Sequence, residues 1–165
     1  MPTVVQLTRK LLEMPQVRLP ADVTLRHFGG PEDIEVWLEL RRRAFARQRV
    51  GVGDWQRADF EREFLNKSWW AADRMWFAQD VSQPGPAVPV GTVTLAQRGE
   101  HLDARPVVHW LAVLPGYRRR GVGRLLVSAL ELAVWNCGQR QIWLETHSQW
   151  IEAAKLYRAM GYELA

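Results

Sequence analysis

The chain has a single cysteine, Cys137, among 165 residues. With no second thiol, an internal disulfide and a zinc site built on several thiolates are both excluded, and a reducing compartment is expected. Cys137 itself reads as a small apolar residue. Membrane-spanning apolar runs are also lacking. The uncharged segment 106–117 is too short to cross a bilayer, and Pro115 and Gly116 interrupt its end. The first twenty residues carry Arg9, Lys10, Glu13 and Arg18 among their apolar positions, which is not the pattern of a secretion signal. A cytoplasmic protein that engages no membrane is the expectation. No internal repeat and no composition break marks a linker, so one domain over residues 1–165 is expected, with 1–20 as an N-terminal extension.

At 47% hydrophobic, 24% charged and 10% aromatic, the composition is that of a globular chain, which argues against disorder, collagen and coiled coil. Nine tryptophans are spread from Trp37 to Trp150, a distribution suited to core and pocket walls. Basic residues exceed acidic ones by four, and Arg118, Arg119, Arg120 and Arg124 equal that excess. The basic character is thus one local cluster, matched to a compact polyanion. A nucleic-acid partner is not expected, because no platform of interleaved basic and aromatic residues accompanies the cluster. A second triplet, Arg41, Arg42 and Arg43, lies in a helical pattern near Glu35 and Glu39 and reads as a solvated face.

Strand alternation appears at 21–28, and Gly29, Gly30 and Pro31 turn the chain into a helix over about 32–47. Gly51, Val52 and Gly53 read as a mobile loop, followed by a helix over 55–66 with Phe60 and Phe64 four apart. Strands at 75–81 and 90–98 flank a proline-rich turn and predict a hairpin. Residues 105–114 are apolar on both faces and read as a central strand. A helix over 123–136 closes at Gly138, residues 142–146 form another buried strand, and a helix over 149–160 starts at Ser148 as N-cap and stops at Gly161. The order predicts a mixed α/β sheet flanked by helices. Too few residues follow Tyr162 for a full strand pair.

The stretch from Arg118 to Gly123 joins a buried strand to the start of an apolar-striped helix. A helix's first turn leaves backbone N–H groups unpaired, its dipole adds partial positive charge, and glycines admit a phosphate close to the backbone. No Gly-Lys-Ser or Gly-Lys-Thr follows, and Leu126 stands where a dinucleotide fingerprint needs its third glycine. The segment Leu111-Ala-Val-Leu-Pro-Gly-Tyr-Arg-Arg-Arg-Gly-Val-Gly123 instead resembles the signature of the GNAT superfamily of N-acetyltransferases, with Arg118, Gly121 and Gly123 on its Arg/Gln-x-x-Gly-x-Gly/Ala pattern. Ala153-Ala-Lys-Leu-Tyr-Arg-Ala-Met-Gly-Tyr162 is similar to that family's second motif, in the right order. The N-terminal half is similar in layout to the entry into the C-terminal half of mycothiol synthase and its relatives, which implies an amine on a sugar-like or cysteinyl molecule.

The resemblance implies the GNAT fold, acetyl-CoA as acyl donor, and transfer to a primary amine of a small molecule by direct attack in a ternary complex. A coenzyme A-binding module without catalysis is the alternative. It further implies that the strand carrying Leu111, Ala112 and Val113 takes the pantetheine arm like an added strand. The backbone of Arg118, Arg119, Arg120, Gly121, Val122, Gly123 and Arg124 would hold the pyrophosphate. Tyr157 would protonate the departing thiolate. An alkylamine is mostly protonated near neutral pH, so a base is needed. His109, two residues before Leu111 on the same strand face and at the place where similar aralkylamine acetyltransferases carry one of two histidines, is one candidate, and Glu145 and His147 are rivals. Trp150 stands where the family usually has asparagine. No metal is implied. The sheet edge after Tyr162 is left for the N-terminal residues, further C-terminal chain, or a partner subunit in a homodimer to cover.

Overall fold

Residues 3–46 and 54–165 are described by a computed structural model. In chain order their elements are β1 (Val4–Lys10), β2 (Val23–His27), α1 (Glu32–Ala44), α2 (Arg57–Phe60), β3 (Met75–Asp80), β4 (Val88–Arg98), β5 (Arg105–Val113), α3 (Val122–Asn136), β6 (Gln141–His147), α4 (Ile151–Ala159) and β7 (Glu163–Leu164). The strands form one mixed sheet in the order β2-β3-β4-β5-β6-β1-β7. The hairpin is β3–β4, and β5 is the middle strand, as the sequence patterns predict. Helix α1 ends at Ala44, short of the expected 47, and the loop expected at Gly51, Val52 and Gly53 lies outside the described residues.

Successive residues of a strand point to opposite faces. In β4 every residue from Val90 to Ala96 is buried, so both faces of the sheet are covered there. Helix α3 packs on β3, β4 and β5, and α1 on β4 and β5. The α1 stripe works as its spacing demands, with Ile34, Trp37, Leu40 and Ala44 all buried. Arg41 belongs to that stripe as well, which corrects the reading of the triplet as a solvated face. It is 3% exposed, and its guanidinium lies over the rings of Trp55 at 4.3 Å and Trp110 at 5.0 Å. A planar, weakly hydrated cation can be buried on indole faces.

Three further expectations are corrected. Cys137 is exposed at the end of α3. Strand β6 alternates in burial along most of its length, with Ile142, Leu144 and Thr146 inward. Ser148 does not cap α4: the N-cap position is Trp150, and the Ser148 hydroxyl accepts from the Thr3 amide at 3.1 Å.

The N-terminal extension is itself part of the sheet. β1 runs antiparallel to β6 from Val4↔His147 to Lys10↔Gln141, and β7 adds to its far side at Leu7↔Leu164. The edge beyond β6 is thus covered within the chain. Its closure is fixed by a buried ion pair. Glu131 on α3, 1% exposed, accepts from Arg9 Nη1 at 2.6 Å and from the Tyr162 hydroxyl at 3.0 Å, joining β1, α3 and the C-terminal segment.

Burial raises the Glu131 carboxyl above its ordinary value, against the lowering influence of Arg9. The folded chain therefore holds this proton more tightly than the unfolded chain. Stability from the group is full at low pH and is lost as pH rises through the folded value. Arg9→Ala leaves the carboxylate uncompensated. The expected cost is about 2–3 kcal/mol in urea unfolding, below that of a fully buried pair because Arg9 is partly exposed. The deficit relative to the parent chain is expected to be larger near pH 8 than near pH 5.

Candidate active site

The site begins with a break in the central sheet. β5 and β6 run parallel but are paired only at Val107↔Trp143 and Val108↔Leu144. On its other side β5 changes register against β4, with Thr92 opposite Ala112 and Thr94 opposite His109, so two β5 residues oppose one of β4. Trp110 lies in this bulge with φ +49°, a left-handed conformation that is a strain signal for a bulky residue. Past Val108 the β6-facing edge of β5 has no strand neighbour among the described residues. A cleft of about 780 Å³ opens there, lined by β5 from Val107 to Val113, β6 from Glu145 to His147, the Arg118–Arg124 region and α4.

One end of the cleft is the turn into α3. Gly121 takes φ +83° at the N-cap position, and the first ladder bond runs from the Leu125 amide to the Gly121 carbonyl at 2.9 Å. The amides of Val122, Gly123 and Arg124 therefore precede the ladder, at the positive end of the helix dipole. The loop is fixed from two sides. Arg118 donates to the carbonyls of Ala44 at 2.7 Å and Val113 at 3.2 Å, and the Tyr117 hydroxyl donates to Asp80 at the end of β3. Hydrogen bonds from Ser82 and Tyr117 pull the Asp80 carboxyl down to about 2. Arg119 approaches Glu152 at 3.4 Å across the surface.

The other end carries the titratable groups. Tyr157 on α4 is buried, and burial raises its phenol above the usual value. His109 Nε2 lies 2.7 Å from Glu63 Oε1. The Glu145 carboxylate accepts from Arg98 and, at 3.3 Å, from Gln6, and the Arg98 hydrogen bond is the chief reason its carboxyl sits below the ordinary range. His147 packs its ring on Trp150 at 4.8 Å, and its Nδ1 is buried without a hydrogen-bond partner among the described residues. Trp150 also stacks on Phe45 at 5.4 Å, giving this end of the cleft an apolar ledge.

Tyr157, His109, Glu145 and His147 thus line one cleft with Leu111, Ala112, Val113, Arg118, Arg119, Gly121, Gly123 and Arg124. Arg120 and Val122 do not line it. The Arg120 guanidinium lies over the Tyr117 ring, and the Val122 side chain is in the core. Sequence reasoning missed Glu63 and Arg98. Arg98 ends a strand recognisable by alternation, and a cross-strand search for a partner to Glu145 could have found it. Glu63 sits in a π-helical turn, Glu61–Leu65, that continues α2, and nothing in the sequence pattern marks that turn. Among the described residues no group of three or more His, Cys, Asp or Glu could hold a metal ion, and no helix is long and apolar enough to cross a membrane.

At Gly123, in the first turn of α3, Leu156 of α4 packs close to the backbone. A Cβ there would stand 2.9 Å from Leu156 Cδ2 and 3.8 Å from Val113 Cγ2. Gly123→Ala is expected to displace Leu156 and lower stability by about 1–3 kcal/mol. Thermal unfolding checks this, through a fall in Tm of several degrees.

Comparison with known proteins agrees with this fold. The chain is 26% identical to a mycothiol acetyltransferase of Mycobacteroides abscessus over 97% of its own length and 52% of the relative's. It spans about half the length of that relative. A GCN5-related N-acetyltransferase of Sphaerobacter thermophilus superposes with a TM-score of 0.78 at 17% identity, covering 99% of this chain and 49% of that one. An aminoglycoside N-acetyltransferase crystallised with coenzyme A superposes with a TM-score of 0.61 at 21% identity, covering 86% of this chain and 88% of that one. The family model of the acetyltransferase (GNAT) domain matches residues 70–164, more than half of the sequence and both halves of the cleft, so the chain belongs to the GNAT acetyltransferases.

Proposed function

We propose that this chain transfers the acetyl group of acetyl-CoA to a primary amine of a small molecule, by direct attack within a ternary complex. The observation that carries the reading is the single cleft joining the unladdered amides at the start of α3 to Tyr157 and His109. A diphosphate is the compact polyanion that the Gly121 turn and the surrounding arginines suit, and Arg124 and Arg119 line its approach. The unpaired edge of β5 from Leu111 to Val113 offers backbone groups to an extended amide-bearing arm, as an added strand would use them. That arm leads the thioester toward Tyr157.

Of the candidate bases, His109 is the one this reading assigns. Glu145 is held ionised by Arg98, and a carboxylate with a lowered pKa is a poor match to an ammonium proton. The acceptor gives one proton to His109, and its lone pair forms the new C–N bond. The C–S bond breaks as the carbonyl re-forms, and sulfur leaves with the electron pair. The phenol of Tyr157 supplies the thiolate's proton, and the surplus proton on the amide nitrogen restores the phenol. Burial opposes a free tyrosinate, so this proton moves only as charge builds on sulfur. Cys137 lies at the far end of the fifteen-residue α3, about 20 Å along the helix from the loop, which favours direct attack over an acyl-cysteine.

Purified protein is expected to bind coenzyme A in titration calorimetry and to release free thiol from acetyl-CoA in the presence of an amine panel. Amines on sugar-like and cysteinyl molecules, which the resemblance to mycothiol synthase implies, come first in that panel, and the similarity to a mycothiol acetyltransferase supports that order. Tyr157→Phe is expected to lower kcat by about 10²-fold with the KM for acetyl-CoA within about threefold, and His109→Ala by about 10²–10³-fold. Binding without turnover across the panel would replace this reading with a non-catalytic coenzyme A module. Failure to bind the coenzyme would sink both.

A further inference from the structure

The bulge at Trp110 turns His109 toward the helical layer, where two residues of one π-helical turn meet its ring. Glu63 Oε1 lies 2.7 Å from Nε2, and the Phe64 ring lies 5.9 Å from the imidazole, tilted at 62°. The turn is closed by the Asn66 amide on the Glu61 carbonyl at 2.8 Å. π-turns inside helices often occur at functional sites. Glu63 does not line the cleft, whereas His109 does. The carboxylate therefore reaches the ring from outside that cleft.

We propose that Glu63 is a positioning residue that holds His109 as the Nε2–H tautomer, so that Nδ1 is the atom that takes the acceptor's proton. An ionised carboxylate can only accept, so a hydrogen bond to it places the ring hydrogen on Nε2 and leaves the lone pair on Nδ1. The His109 hydrogen bond is the chief reason the Glu63 carboxyl is held below its ordinary value, which keeps it in the accepting state. When Nδ1 receives a proton, the imidazolium faces a fixed negative charge and no group need reorganise. Phe64 limits rotation of the ring. No net proton transfer to Glu63 is required: the acceptor's proton goes to Nδ1 and from there to solvent.

The inference rests on His109 acting as the base, and its test separates the two. In the ¹⁵N-labelled full chain, with His109 assigned by its loss in His109→Ala, the ring is expected to show a bound proton on Nε2 in slow exchange with water. That signal is expected to vanish in Glu63→Leu. Both Glu63→Gln and Glu63→Leu are expected to lower kcat by about 10–100-fold with the KM for acetyl-CoA within about threefold. In a His109→Ala background the same substitutions are expected to cost nothing more. The proposal is overturned if Nε2 carries no proton in the parent protein, or if the Glu63 loss persists undiminished without His109. Full activity of His109→Ala would instead overturn the assignment of the base, and the resting-state spectrum would still decide what Glu63 does to the ring.

Discussion

The cleft exists because β5 stops pairing with β6 after Val108, and a sheet opened in its middle must be held together elsewhere. Strand β6 has β5 as a partner for two residues only. Its other edge is paired to β1 along the whole length from Gln141 to His147. This outer ladder pairs the backbone groups of β6 that point away from the cleft and fixes the strand in the sheet, while the groups on its inner edge past Leu144 face the cleft. The N-terminal segment is therefore a structural requirement of the opening. Glu131 makes the same connection at the level of side chains. From the core of α3 it binds Arg9 of β1 and Tyr162 just before β7, so the helix that begins at the candidate anion site is tied to the strand that holds β6.

Much of this was legible in the sequence because local physics dominates there. The β3–β4 hairpin followed from alternation around a proline-rich turn, and β5 from apolar residues on both faces. The α3 start followed from glycines between a strand and an apolar stripe. What was not legible depended on partners distant in sequence. The segment 4–10 has alternating residues, yet its role is set by a strand more than 130 positions away. Ser148 had the chemistry of an N-cap, but its hydroxyl was taken by the amide of Thr3, which arrives only when β1 docks. Arg41 looked like one of three solvated arginines until Trp55 and Trp110 closed on its guanidinium. His109 was picked out from its place two residues before Leu111 and from the resemblance, but the bulge interrupts the strand between them, and its contacts with Glu63 and Phe64 come from a helical turn 46 and 45 residues upstream in sequence.

The arginine cluster that produces the net charge is divided in its work. Arg118 donates to a strand carbonyl and to the last carbonyl of α1, at the negative end of that helix dipole. It thereby couples the loop to the helix that bears the aromatic wall. Arg120 lies on Tyr117, whose hydroxyl is bound to Asp80 at the end of β3. Arg119 and Arg124 face the cleft and are the two best placed to meet an anion directly. A charge count alone would have assigned all four arginines one role, whereas half of them shape the loop that presents the amides.

The same cleft changes character along its length, and this follows from where the aromatics fall. Near α3 it has backbone amides and arginines. Phe45, Trp110 and Trp150 supply apolar walls to the same cleft that His109, His147 and Tyr157 line. Trp150 stands where a polar cap would solvate the start of α4, and it stacks instead on Phe45. Replacing solvent with indole and phenyl surface lowers the local dielectric, which strengthens each remaining electrostatic contact and raises the cost of any uncompensated charge. The groups there respond accordingly. Tyr157 is kept protonated by burial, and the Glu145 carboxylate is paired with Arg98. In the proposed reaction an amine entering such a space would give its proton to His109, whose carboxylate partner, Glu63, lies outside the cleft lining.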